Sequence, residues 1–147
     1  MSRPDRLDVV LLIRSLNRGG AERQLALLAT GLDAAEFRVR VVTFYPGGPI
    51  WHELTAQPSV ELVSLDKRGR WDAIEPIRRL SGMLAAWAPA ILHCYMPEPS
   101  IVGTIAGRRA GVPAIVWGVR SSNVDYRTYG WFNWATARVA AHMSARA

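Results

Sequence analysis

The residues of this chain that could act on a ligand gather in short glycine-rich or polar stretches. In Asn17-Arg18-Gly19-Gly20-Ala21-Glu22, two adjacent glycines remove two Cβ atoms. Backbone N–H groups at the start of a following helix can then approach a phosphate or a sugar hydroxyl. The same pair also makes a tight strand-to-helix turn that holds nothing, and the residues leave both readings open. Two familiar phosphate fingerprints are missing. A dinucleotide turn needs Gly-x-Gly-x-x-Gly and an acidic residue ending the second strand, but here the turn runs Gly-Gly-Ala-Glu and that strand ends in Phe44-Tyr45. No Gly-x-x-x-x-Gly-Lys-Ser/Thr occurs either, so nicotinamide enzymes and P-loop nucleotidases are disfavoured.

His52, His93 and His142 lie far apart, and no Cys/His/acid group has metal-ligand spacing, so no metal site is expected. His93 falls near the end of an apolar run. It is read either as a hydrogen-bonded core residue or as a ligand contact. The single Cys94 cannot form an internal disulfide and reads as a small buried hydrophobe, which fits a reducing compartment.

The elements that must position these residues follow from hydrophobic patterning. Val9 to Ile13, Val39 to Phe44, Val60 to Leu65, Ala90 to Tyr95 and Ala114 to Val119 are near-continuous apolar runs, the pattern of parallel strands covered on both faces. Leu25, Leu28, Ala29 and Leu32 form the stripe of a helix over Gly20 to Leu32. A shorter helix is expected over Pro49 to Ala56. Asp72 and Glu75 have capping-box spacing ahead of a helix running to about Trp87. Pro97 and Pro99 open another, ended by Gly111, in which Gly103 and Gly107 make a strip suited to close packing on a sheet. Trp131 to Ala147 looks helical, and the fold class predicts a further strand after it.

In such a sheet, ligands lie beyond the carboxyl ends of the strands. Loops entering the strands are plain connectors, such as Asp33-Ala34-Ala35-Glu36 and Ala88-Pro89. Loops leaving them hold Ser15 to Gly20, Pro46-Gly47-Gly48, Lys67-Arg68-Gly69-Arg70, His93 with Tyr95 and Glu98, and Arg120-Ser121-Ser122-Asn123. Polar groups therefore converge on one rim.

With 147 residues, half of them apolar, the chain can bury the core of one domain. Residues 1–100 carry twelve basic and eleven acidic side chains, while 101–147 carry six against one, so the +6 net charge is concentrated in the tail. Such a tail is read as a solvated face or as an attractor of phosphates or anionic lipid. The run Val9 to Ile13 is too short for a leader or membrane span, and a cytoplasmic location is expected.

Four motifs in order, Ser15-Leu16-Asn17-Arg18-Gly19-Gly20-Ala21-Glu22-Arg23, Tyr45-Pro46-Gly47-Gly48, Lys67-Arg68-Gly69-Arg70-Trp71-Asp72 and Trp117-Gly118-Val119-Arg120-Ser121-Ser122-Asn123, resemble the N-terminal domain of bacterial family 4 glycosyltransferases. The resemblance implies a Rossmann-like, doubly wound parallel α/β sheet over residues 1–147, the acceptor-side half of a two-domain GT-B architecture. It also implies truncation before the last strand, with the nucleotide-sugar domain absent. Glu53 and Glu61 have the spacing of that family's Glu-x7-Glu motif, but they straddle a turn and fall in the wrong half.

By matching position, Gly19 and Gly20 would lie beside the donor phosphates or the acceptor. Arg120, with Ser121 and Asn123, would contact the same phosphates or an anionic acceptor; Arg120 also reads as a fold-stabilising ion pair. Relatives show His-x-His after the fourth strand where this chain has His93-Cys94-Tyr95, which leaves His93 and Tyr95 as weak catalytic candidates. The resemblance implies retaining transfer without metal or other cofactor, from a nucleotide-sugar donor to a glycan or lipid-linked acceptor, with no nucleic-acid partner. Tyr126, Tyr129, Trp131, Phe132 and Trp134, with Arg127 and Arg138, read either as a peripheral contact with the inner face of the plasma membrane or as packing against the second half. A non-catalytic module binding a glycan, lipid or partner is the alternative. A nucleotide-sugar epimerase ranks lower, since only Glu98 and Asp125 would supply its acids.

Overall fold

The computed structural model describes residues 6–69 and 71–118. Strands β1 (Leu7–Ile13), β2 (Phe37–Thr43), β3 (Val60–Ser64), β4 (Ile91–Tyr95) and β5 (Ala114–Gly118) alternate with helices α1 (Gly20–Gly31), α2 (Pro49–Thr55), α3 (Ile74–Trp87) and α4 (Pro97–Ala110). The sheet is wholly parallel, in the order β3-β2-β1-β4-β5. The apolar runs predicted a parallel sheet, and this Rossmann-like arrangement is the one the family resemblance implies. The predicted helix over Trp131 to Ala147 lies outside the described residues.

Because successive strand side chains point to opposite faces, each run feeds two cores. Val9, Leu11, Ile13, Val39 and Val41 meet Leu25, Ala26 and Ala29 of α1 and Ile50 and Leu54 of α2. Val10, Leu12, Val42, Leu92 and Cys94 meet Leu80 and Leu84 of α3 and Val102 and Ala106 of α4. Both faces are covered, which is why the strands read as continuous rather than alternating hydrophobic segments.

Two local expectations change. The stripe of α1 is turned, so that Ala26 is buried while Leu28 stays 37% exposed. The Asp72/Glu75 capping box does not form: α3 begins at Ile74 with Ala73 as its uncapped N-cap. The Asp72 carboxylate instead accepts the Arg68 backbone N–H at 2.9 Å, and Glu75 pairs with Arg78 at 3.1 Å. A nearby backbone donor in the preceding turn and a cation one helical turn ahead outcompete the reciprocal cap.

Helix α4 lies against the sheet through its glycine strip. A Cβ on Gly103 would collide with the Cys94 sulfur and lie 3.0 Å from a Leu12 methyl, and one on Gly107 would lie 2.9 Å from an Ile115 methyl. Gly111 ends this helix in the left-handed region, φ 73°, and its N–H bonds back into the last turn. Burial pushes the Cys94 thiol up to about 12, so it is an inert core group.

Among the described residues the buried strand cation, Arg40, is also accounted for locally. Arg40 donates to Asp8 and Glu61 at 2.8 Å each and lies 4.7 Å from the Trp87 ring centre. Glu61 thus serves a structural ion pair, and Glu53 bonds Arg23 on the surface.

Candidate functional site at the carboxyl ends of the strands

The strand order reverses between β1 and β4, so the crevice where ligands bind in open parallel sheets lies beyond Ile13 and Tyr95. The loops around it are laced together by backbone bonds. The Arg14 carbonyl accepts N–H groups from Phe44 and Tyr45, Leu16 accepts from Ile50, and Phe44 accepts from Lys67. Gly48 permits this approach: it has φ 107°, and a Cβ there would sit 2.5 Å from the Leu16 carbonyl oxygen. Of the rim glycines, this one carries the clearest backbone demand.

The Gly19-Gly20 pair behaves differently from a bare anion cradle. Gly19 is extended (φ −171°, ψ 168°), a conformation open to any residue, and is the N-cap of α1 with no side-chain cap. Around a Cβ built on Gly20 there is open space. A Cβ on Gly19 would collide with the carboxylate of Glu22, whose Cδ lies 2.9 Å away. Glu22 therefore folds back over the start of its own helix, where its charge suits the dipole. The volume released by the first glycine is used by this carboxylate.

A charged cluster ties the remaining rim loops. Glu98, in the first turn of α4, places one carboxylate oxygen 3.2 Å from Lys67 Nζ and the other 3.4 Å from Arg14 Nη1. Lys67 is the deep member, its side chain 2% exposed; its ammonium also donates to the Gly69 carbonyl at 2.7 Å and lies 6.0 Å from the Phe44 and Tyr45 ring centres. Arg14 is the outer member, 59% exposed, with its guanidinium 5.7 Å from the Tyr45 ring centre. One carboxylate thus joins loops leaving β1, β3 and β4, with the aromatic ring from the β2 loop alongside. Met96, just before α4, holds φ 76°, a strained value for a side-chain-bearing residue that falls on this same rim.

The predicted catalytic candidates lie together but inward. Tyr95 is buried in the core on the α1 side of the sheet, and the His93 ring stacks on it at 4.3 Å. Gly118 leaves the room His93 needs, since a Cβ there would lie 3.1 Å from Nε2. Arg120, Ser121 and Asn123 lie outside the described residues, as do the aromatic residues from Tyr126 to Trp134. The sequence places Lys67 and Glu98 on the rim without pairing them, includes Glu22 in the glycine turn without a role of its own, and does not single out Arg14. A charged residue directly after an apolar strand, as Arg14 is after Ile13, was the available signal.

At the outer edge, Asp66, Arg68, Asp72, Glu75, Arg78 and Arg79 line an open groove beside α3. Arg78 pairs there with Glu75 and Arg79 with Asp66, Asp72 accepts the Arg68 backbone N–H, and the groove lies away from the strand reversal. Among the described residues no three His, Cys, Asp or Glu side chains are grouped to hold a metal ion, and no helix is long and apolar enough to cross a membrane.

A doubly wound parallel sheet with a polar rim at its strand reversal defines the class of Rossmann-like α/β domains. Within that class the chain belongs to the glycosyl transferase 4-like domain family, whose model matches residues 19–147. No curated protein sequence matches it. Its fold is similar to that of Anabaena Alr3699/HepE, solved in complex with UDP and glucose, at TM-score 0.69 and 19% identity, over 92% of this chain and 35% of that one. A glycosyltransferase from Rickettsia africae ESF-5 is similar at TM-score 0.60 and 11% identity, over 85% of this chain and 33% of that one. The negative transcriptional regulator NmrA shares the fold more distantly, at TM-score 0.52 and 17% identity, over 96% of this chain and 43% of that one. The chain spans about a third of the length of the first two.

Proposed function

We propose that this chain forms the acceptor-side half of a retaining, metal-independent glycosyltransferase that moves a sugar from a nucleotide-sugar donor to a cell-surface glycan or glycolipid. The family match over residues 19–147 carries the reading. The polar rim at the β1/β4 reversal supports it by offering hydroxyl and phosphate contacts on the side where the second half of such an enzyme would close. Alr3699/HepE, of similar fold, was solved with UDP and glucose, which makes a uridine diphosphate sugar the first donor to try.

In this scheme the chain's own residues bind and orient the acceptor. Its hydroxyls meet the polar groups of the Ser15 to Glu22 turn, and basic side chains on the rim answer negative charge that develops on the leaving diphosphate. His93 and Tyr95 act from within, holding the β4 end that faces the crevice. A peripheral contact with the cytoplasmic face of a membrane would bring in a lipid-linked acceptor.

The test is to supply the whole protein carrying this chain with nucleotide-sugars and glycan or glycolipid acceptors, with and without a chelator, and to read the anomeric configuration of the product by NMR. Acceptor-dependent transfer that retains configuration and survives chelation is expected. Inversion, or loss on chelation, refutes the mechanism, and glycan binding without turnover favours a non-catalytic module. Residues 1–147 alone should transfer no sugar.

A further inference from the structure

We propose that Arg14 is the residue that contacts a phosphoryl group of the substrate, presented at the strand reversal by Glu98, which is itself anchored on the buried Lys67. The two cations bound to Glu98 are unequally placed: Lys67 is sealed in the rim, whereas Arg14 is 59% exposed. Of the two, the Arg14 guanidinium is the cation open to a ligand.

Geometry agrees. Arg14 follows the last residue of β1, its carbonyl is pinned by the Phe44 and Tyr45 N–H groups, and its side chain is guided by the Tyr45 ring and one Glu98 oxygen. Its ion pair is long, 3.4 Å, and half in solvent, so it orients the guanidinium without engaging it strongly. Of five N–H donors in a planar fork, one is used. Such a fork matches two oxygens of a phosphoryl group.

The alternative anion positions near the reversal are less suited. The Glu22 carboxylate lies over the start of α1, and α4 opens with Pro97 and Pro99, which lack N–H donors, and with Glu98 itself. Of these groups, Arg14 is the one that offers positive charge.

The source of the phosphoryl group rests on the glycosyl-transfer reading, which allows the donor diphosphate or a lipid-linked acceptor phosphate. Binding needs no turnover, so the inference can fail while transfer stands, and the reverse. Calorimetric titration of the protein with UDP and, separately, with farnesyl pyrophosphate would compare the unsubstituted form with Arg14→Gln and with the surface control Arg23→Gln. Loss of a charge-assisted contact should weaken binding of at least one ligand about tenfold or more in Arg14→Gln and leave Arg23→Gln unchanged. A loss confined to UDP assigns the contact to the donor; one confined to farnesyl pyrophosphate assigns it to the acceptor. No saturable binding of either ligand, equal affinity in Arg14→Gln, or an equal loss in Arg23→Gln overturns the proposal. Should Arg14→Gln fail to fold, phenylglyoxal labelling of the unsubstituted protein, mapped by mass spectrometry, decides the matter. Either ligand should slow modification of Arg14 and not of Arg23, and absence of protection overturns the inference.

Discussion

Replacing Glu98 by Gln tests whether the rim cluster is an interdependent unit. The substitution keeps the side chain's shape and removes the charge that faces Lys67 Nζ at 3.2 Å. Breaking a buried ion pair by removing one partner costs roughly 3–5 kcal/mol, because the other charge is left uncompensated. Two features reduce that figure here. Glu98 is itself 21% exposed, and the Lys67 ammonium keeps its 2.7 Å bond to the Gly69 carbonyl. A cost of about 2 kcal/mol is therefore expected, which at this chain length lowers the melting temperature by several degrees. Lys67→Met should cost less, about 1 kcal/mol, because Glu98 retains Arg14 and water. In the double variant the uncompensated lysine is gone, so the two losses should fall short of adding by about 1 kcal/mol. Urea unfolding followed by tryptophan fluorescence measures all three forms. Additive losses would refute the pairing, and so would a Glu98→Gln protein as stable as the unsubstituted one.

Three further outcomes follow. Gly48→Ala, placed at φ 107° against the Leu16 carbonyl, should destabilise by about 1–3 kcal/mol in the same unfolding assay, and a neutral result would contradict the close approach of these loops. Gly20→Ala, in the first turn of α1 with open space around it, should be neutral or stabilising by up to about 1 kcal/mol; any loss of ligand affinity in that variant would then report on binding rather than folding. Cys94, buried with its thiol raised from 9.0 to about 12, should resist iodoacetamide at pH 8 in the folded protein and react on unfolding. The folded state holds that proton more tightly, so the linked stability is intact below pH 9.0 and declines as pH rises toward 12; rapid labelling of the native protein would show that the residue is not sealed.

Much of the architecture was legible because its signals are local. Apolar runs, Pro97 and Pro99 ahead of α4, Gly111 behind it, and the Gly103/Gly107 strip all act over a few residues, and each is found where its chemistry requires. Misreadings arose where two local partners compete. Asp72 has the spacing of a cap, yet its carboxylate accepts the Arg68 N–H and α3 begins without a side-chain cap. Leu28 fits a periodic stripe, but how α1 settles on the strands decides which side it shows to solvent.

By itself the sequence determined a parallel sheet with a polar rim at its carboxyl ends, and the ordered motifs on that rim pointed to glycosyl transfer. Only the tertiary structure decided which rim residues meet. Placing β4 beside β1 brings Glu98 within reach of Arg14, 84 residues away, and folding α1 lays Glu22 over Gly19. Hydrophobic periodicity is written along the chain, whereas an ion pair depends on which strand ends become neighbours. The glycine turn and the Arg14–Glu98–Lys67 cluster therefore proved to be separate features.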